Sequence, residues 1–159
     1  MALPPTARSI QHERWMGLAL LEAQHTAASG DVPIGAVVVN SRGDVVGRGY
    51  NRREACGDPI AHAEVLALRD AAARTGSWRL DDCTLVVTLE PCAMCAGAIV
   101  LSRVPRLVLG AWDPKAGACG SVFDVVREPR LNHWVQVTGG VREAECAALL
   151  REFFEAHRK

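Results

Sequence analysis

Apolar residues fall at helical spacing over residues 8–29, where Trp15, Leu18 and Ala19 are continued by Ala23 and Ala27 until Gly30 ends the stripe. The pattern then changes period. Residues 34–39 form a short Val-rich block, the signature of a strand covered on both faces. Residues 44–50 read as a second strand, joined to the first as a hairpin by the turn Asn40-Ser41-Arg42-Gly43. Residues 51–58 are polar and read as a loop. Asp58-Pro59 then opens a helix over 62–74 that carries Val65, Leu66, Leu68 and Ala72. A third strand, 84–89, precedes Pro91, whose fixed φ suits the first turn of a helix reaching about residue 102. Residues 107–111 and 135–138 are the fourth and fifth strands, separated by a long irregular stretch. A closing amphipathic helix over 142–157 turns Cys146, Leu149, Leu150, Phe153 and Phe154 inward.

Helices interleaved with strands require crossovers, and crossovers put helices on both faces of a sheet. The expected fold is α/β, with three αβα layers around a central mixed five-stranded sheet. No repeat or linker divides the chain, and its length is that of one domain, residues 1–159. The glycine-rich piece 117–120 lacks the pattern of a phosphate loop.

Composition narrows the partners. The 18 basic and 18 acidic residues cancel, so a polyanion would have to be held by local clusters. Arg52-Arg53, Lys115 and His157-Arg158-Lys159 are the candidates, with plain solubility as their ordinary alternative. No apolar stretch reaches the roughly 18 residues of a membrane helix, and residues 1–11 show no secretory pattern, so the expected compartment is the cytoplasm. There the six cysteines are better read as metal ligands or free thiols than as disulfides. Cys83 and Cys146 sit among apolar neighbours and read as buried; Cys119 shows no role.

The chemistry concentrates in His62-Ala63-Glu64 and Pro91-Cys92-Ala93-Met94-Cys95. One imidazole and two thiols are zinc ligands by type, and three protein ligands leave a tetrahedral position open, as in a catalytic site. The spacing of Cys92 and Cys95 puts both sulfurs on one face of a helix, and its first turn favours thiolates. Glu64 can move the protons of a water in the open position. Two residues along a regular helix is a rotation of roughly 200°, so His62 and Glu64 share a metal only if His62 lies at or before the first turn. Each piece alone is weak: a lone His, a lone CxxC or a helical Glu usually has a structural explanation. A closed structural zinc with Cys56 as fourth ligand is the competing arrangement.

His-x-Glu followed by Pro-Cys-x-x-Cys is the signature of zinc nucleobase deaminases. Beyond it, the chain closely resembles the bacterial tRNA-specific adenosine deaminases, the TadA family. The matching stretches include Asp31-Val32-Pro33-Ile34-Gly35-Ala36, Thr88-Leu89-Glu90-Pro91, Gly110-Ala111-Trp112-Asp113-Pro114-Lys115-Ala116-Gly117, Leu131-Asn132-His133 and Glu145-Cys146-Ala147-Ala148-Leu149-Leu150. The resemblance implies a cytidine-deaminase-like fold and one Zn2+ held by His62, Cys92 and Cys95, with Glu64 as proton shuttle. It also implies Asn51 against the target base, the Ala63 backbone near the displaced group, Ile34 and Leu89 as pocket walls, and Asp113 on the RNA backbone. Without it, Asn51 and Asp113 would be read as turn or capping residues. The implied substrate is the wobble adenosine of a tRNA anticodon stem-loop, converted to inosine by a homodimer. Small apolar residues after Cys95 suit close helix packing. Deamination of free guanine, cytosine or cytidine, and a non-catalytic zinc-stabilised RNA-binding module, are the alternatives.

Overall fold

The computed structural model describes residues 1–158. Helix α1, Ala7–Gln24, is capped by the Thr6 hydroxyl, which accepts from the Ser9 amide, and it runs into a 3-10 turn, His25–Ala28. Strands β1, Gly35–Val39, and β2, Val45–Tyr50, form the hairpin, followed by a short helix α2, Arg53–Cys56, and a longer one, α3, Ala63–Thr75. Strand β3, Thr84–Leu89, leads to α4, Ala93–Leu101, then β4, Arg106–Ala111, β5, Gln136–Thr138, and α5, Glu143–Ala156.

The sheet order is β2-β1-β3-β4-β5, with β1 antiparallel to both its neighbours and β3, β4 and β5 parallel, so the sheet is mixed and five-stranded. Side chains alternate across it, which sorts the two cores by strand position. Ala36, Val38, Leu85, Val87, Leu107 and Leu109 pack with Ala67, Leu68, Ala96 and Ile99 of α3 and α4. Val37, Val39, Val86 and Val108 pack instead with Met16 and Ala19 of α1 and Cys146 of α5. Three αβα layers result, because central strands that are apolar on both faces must be covered twice.

Glycine sets one of these distances. A Cβ at Gly49 of β2 would strike the Ala63 carbonyl and the Ala67 amide, so α3 lies directly on the strand backbone. That contact fixes the N-terminal end of α3, where His62 stands. Among the described residues no helix is long and apolar enough to cross a membrane.

Three expectations need correction. The first helix ends before Ala27, which is exposed in the 3-10 turn, and the buried position next to Ala19 is Met16 while Trp15 and Leu18 are half-buried. Residues 51–58 are not all loop, since Asp31 accepts hydrogen bonds from the Glu54 and Ala55 amides and so caps α2. Phe154 does not turn inward: it is 52% exposed, and Leu149, Leu150 and Phe153 are only half-buried. The reason is that α5 meets the sheet through its first turn, where the Cys146 sulfur enters the space left by Gly110, and its later turns run past the sheet. Cys83 and Cys146 are buried as the pattern predicts.

Candidate active site

Two helix N-termini converge beyond the end of β3. His62 is the N-cap of α3, with extended backbone at φ −80°, ψ 151°, and Cys92 is the N-cap of α4 at φ −73°, ψ 177°. The chain therefore resolves the spacing problem before the helix begins: His62 lies outside the first turn and Glu64 inside it, so both side chains turn to one side. Cys95, one turn into α4, is fully buried beneath them.

The Nδ1 atom of His62 stands 3.6 Å from the Cys92 sulfur and 3.5 Å from that of Cys95. A zinc ion at about 2.0–2.1 Å from nitrogen and 2.3 Å from sulfur holds a tetrahedral nitrogen and sulfur about 3.6 Å apart, so both spacings from His62 suit the ion. All three ligating atoms lie within 4.8 Å of one another, and among the described residues no other His, Cys, Asp or Glu joins them. Cys56 is exposed at the end of α2, which removes the closed four-ligand arrangement. His62 and Cys92 of this cluster border a cavity.

The protein groups share their protons unevenly. Hydrogen bonds from Cys95 and then His62 hold the Cys92 thiol down to about 3, so Cys92 carries the negative charge. The neighbouring Cys92 sulfur, reinforced by burial, pushes the Cys95 thiol up, and its S–H donates to Oε2 of Glu64 at 3.5 Å. Glu64 is 4% exposed, and burial raises its pKa above the ordinary carboxylate value.

The cavity has a volume of about 180 Å³ and is lined by Val32, Ile34, Asn51, Arg53, His62, Ala63, Glu64, Leu89, Glu90, Cys92, Asp113 and Ala116. The expected metal ligands His62 and Cys92, the shuttle Glu64 and the expected base-pocket residues Ile34, Asn51, Ala63, Leu89 and Asp113 are all here, and of the basic candidates only Arg53 is. Cys95 forms the floor of the metal cluster, and Arg52 and Lys115 do not line this cavity. The Asn51 side-chain amide is fixed from both ends, its Nδ2 donating to the Val32 carbonyl and its Oδ1 accepting from the Arg53 amide. Asp113 caps a turn, its Oδ1 accepting from the Lys115 and Ala116 amides. Three lining residues were missed: Val32, Ala116 and Glu90. The signal for Glu90 was a carboxylate at the end of an apolar strand, a position where a charge is buried only if the fold satisfies it.

Beside this cavity lies a second, of about 300 Å³, lined by Val32, Leu89, Trp112, Asp113, Pro114, Lys115, Leu150 and Phe154. Val32, Leu89 and Asp113 belong to both. The exposed Phe154 and the terminal turns of α5 thus border the site. Lys159, the last residue of the basic C-terminal cluster, lies outside the described residues.

Comparison with known proteins agrees with this geometry. Residues 9–111 match the family described as the cytidine and deoxycytidylate deaminase zinc-binding region. The tRNA-specific adenosine deaminase of Bacillus subtilis is 48% identical over 149 residues, covering 94% of this chain and 92% of that protein. A solved structure from work on A-to-I editing by tRNA:A34 deaminases at the wobble position superposes with a TM-score of 0.82 at 43% identity, over 86% of this chain and 99% of that one. The guanine deaminase of Nitrosomonas europaea superposes with a TM-score of 0.74 at 29% identity, over 96% and 95% of the two chains. The chain belongs to the zinc-binding cytidine and deoxycytidylate deaminase family and, within it, to the tRNA-specific adenosine deaminases.

Proposed function

We propose that the protein deaminates adenosine to inosine at the wobble position of a tRNA anticodon stem-loop. The observation that carries the reading is a three-ligand metal cluster with a buried carboxylate beside its open position, both facing a cavity of about 180 Å³. That volume is below the roughly 300–1,000 Å³ of sites that enclose whole ligands, and suits one base whose remainder stays outside.

The surroundings favour a nucleotide in a strand over a free base. The second cavity of about 300 Å³ offers Trp112 and Phe154, surfaces on which an unpaired base stacks. Zero net charge does not count against RNA once ion pairs are considered. Arg42, Arg48, Arg74, Arg79, Arg127, Arg130 and Arg142 each pair with a carboxylate. Arg53, which lines the first cavity, and Lys115, which lines the second, have no ion pair among the described residues, and neither has Arg52 beside Arg53 in sequence. The uncompensated positive charge therefore includes the rim of the site.

Zinc held by His62, Cys92 and Cys95 would supply Lewis acidity that makes a water nucleophilic near neutral pH. Glu64 takes a proton from the attacking water and delivers it to N1 of the adenine, while the oxygen bonds to C6. The same carboxylate then takes the remaining proton from the hydroxyl at C6 and passes it to the C6 amine, the C–N bond breaks, and ammonia leaves as the C6 carbonyl forms. Its buried setting suits the work, because a carboxylate with a raised pKa accepts a proton readily near neutrality. Asn51 keeps one amide N–H for the base, Ile34 and Leu89 wall it, Ala63 presents its backbone beside the displaced amine, and Asp113 reaches the RNA backbone. A loop base is already partly unstacked, so extruding it costs less than in a duplex.

The open face of α4 supports a homodimer. Leu101 is 70% exposed, Met94 is 37% exposed, and nothing stands within 4 Å of a Cβ built at Gly97. Acting on tRNA, the enzyme works in the cytoplasm. The test is to incubate the zinc-loaded protein with an anticodon stem-loop and, separately, with adenosine, cytidine, guanine and cytosine. Inosine at the wobble position of the stem-loop alone is expected. Ammonia from a free base with inert RNA overturns the reading in favour of the guanine-deaminase-like alternative, and tight RNA binding without turnover would make it a binding module.

A further inference from the structure

Glu90 follows the last residue of β3, is 2% exposed, and has no ion-pair partner among the described residues. Its two oxygens are nonetheless fully engaged. Oε1 accepts from the Asp113 amide at 3.0 Å and from the Ser121 hydroxyl; Oε2 accepts from the amides of Cys119 at 3.0 Å and Ser121 at 3.1 Å. All four donors belong to the segment 113–121, which lies outside the named helices and strands and enters the core only at Ala118 and Cys119. The segment is tied once more to the same stretch of chain, by the Ala118 amide on the Pro91 carbonyl at 2.8 Å. Gly117 lies against this carboxylate, and a Cβ there would collide with the carboxyl carbon and both oxygens.

We propose that Glu90 is a positioning residue that folds the 113–121 segment around its carboxylate and so sets Asp113 and Lys115 at the mouth of the base pocket. It lines that pocket, which invites a role in proton transfer. The hydrogen bonds assign it otherwise: both oxygens are spent on amides and a hydroxyl of the chain, leaving neither aimed at a reacting atom. Glu64 moves protons; Glu90, two residues before Cys92, ties the strand that positions the metal to the loop that meets the RNA. The effect belongs to binding, since the reacting groups stand on α3 and α4 while Asp113 and Lys115 stand on the loop.

The inference rests on the RNA-editing reading, and its test separates the two. In Glu90→Gln one carboxylate oxygen becomes an NH2 group facing N–H donors. With hydrogen bonds to a charged group lost, KM for the anticodon stem-loop should rise on the order of tenfold or more, while kcat falls less than about threefold. Zinc should remain at one per chain, and amide hydrogen exchange should accelerate across 113–121 but not across 62–65. Ser121→Ala removes one donor and keeps the carboxylate, so it should raise KM a few-fold with the same exchange pattern. It decides the matter if Glu90→Gln does not fold. A loss confined to kcat with KM and exchange unchanged, or unchanged exchange in both variants, overturns the proposal. Wild-type protein inert on the stem-loop would refute the functional reading, and the exchange measurement would still show whether the carboxylate holds the loop.

Discussion

His62 and Cys92 reach the metal cluster from equivalent N-cap positions on two helices packed against the sheet. The groups at the rim are held differently. Arg53 stands at the start of the short α2, Asp113 and Lys115 on an irregular segment, and Phe154 on turns of α5 that have left the sheet. The metal side is placed by packing, through close glycine contacts and the alternating valines that seat α3 and α4 on the sheet. The rim is placed by two buried carboxylates, Asp31 under α2 and Glu90 under 113–121, each accepting several loop amides. Chemistry is anchored in the hydrophobic core, and substrate contact in polar networks whose satisfaction decides their shape.

The largest expected effects lie on the packed side and test whether its four side chains have separate duties. Cys92→Ser should lose bound zinc, measured by metal analysis, and with it all measurable deamination; chelation of the wild-type protein should do the same, reversed by added zinc. Glu64→Gln should keep one zinc per chain yet slow turnover by about 10²–10⁴-fold, the range of a lost general acid–base group. If Glu64→Gln also empties the site, the carboxylate is a ligand, the open position disappears, and the division of labour drawn here is wrong.

On the rim side the expected losses are smaller and depend on salt. Arg52→Ala with Arg53→Ala should weaken stem-loop binding on the order of tenfold at moderate ionic strength. For a single-stranded loop, the slope of log affinity against log salt should flatten by about 0.7 for each phosphate contact removed. Turnover of bound substrate should change far less. An unchanged slope would return both arginines to the role of solubilising charge, and leave Lys115 and the C-terminal turns of α5 to hold the phosphates.

This contrast also explains how much was legible in sequence. The metal side announces itself because its parts are local: His62 and Glu64 lie two apart, Cys92 and Cys95 three apart, and proline marks the helix entry. Even the conflict between His62 and Glu64 could be turned into a structural requirement, met by the N-cap. The succession of elements, the mixed sheet and its layers followed from apolar blocks alternating with helical stripes, whereas the order of strands within the sheet did not. Rim residues are set by tertiary contacts that no window of sequence contains. Phe154 carries the same 3.6 periodicity as Cys146, and only the path of α5 past the sheet decides that one is buried and the other borders a cavity. Asn51 and Asp113 were placed by family resemblance, and in the structure both also make the turn contacts that their residue types predict. Glu90 and Asp31 were overlooked as organisers because a carboxylate beside an apolar strand carries no mark of the amides it will meet.

The smallest expected effect is on stability, and it tests whether a carboxylate's charge holds the rim. Burial opposes ionisation of Asp31, but hydrogen bonds from the Ser29 hydroxyl and from the Glu54 and Ala55 amides outweigh it and keep its pKa below the usual 3.8. The folded state therefore binds this proton more weakly than the unfolded state, so the contribution is complete above about pH 4 and fades as pH falls through the folded value. Asp31→Asn should cost about 1–3 kcal/mol at neutral pH, or several degrees in Tm for a chain of this size. The gap between the two melting curves should close as the pH is lowered below about 4, because the wild-type carboxyl is then protonated as well. A gap of constant width from pH 7 to pH 3 would mean that shape alone seats α2, and the rim would then be built by packing as the metal side is.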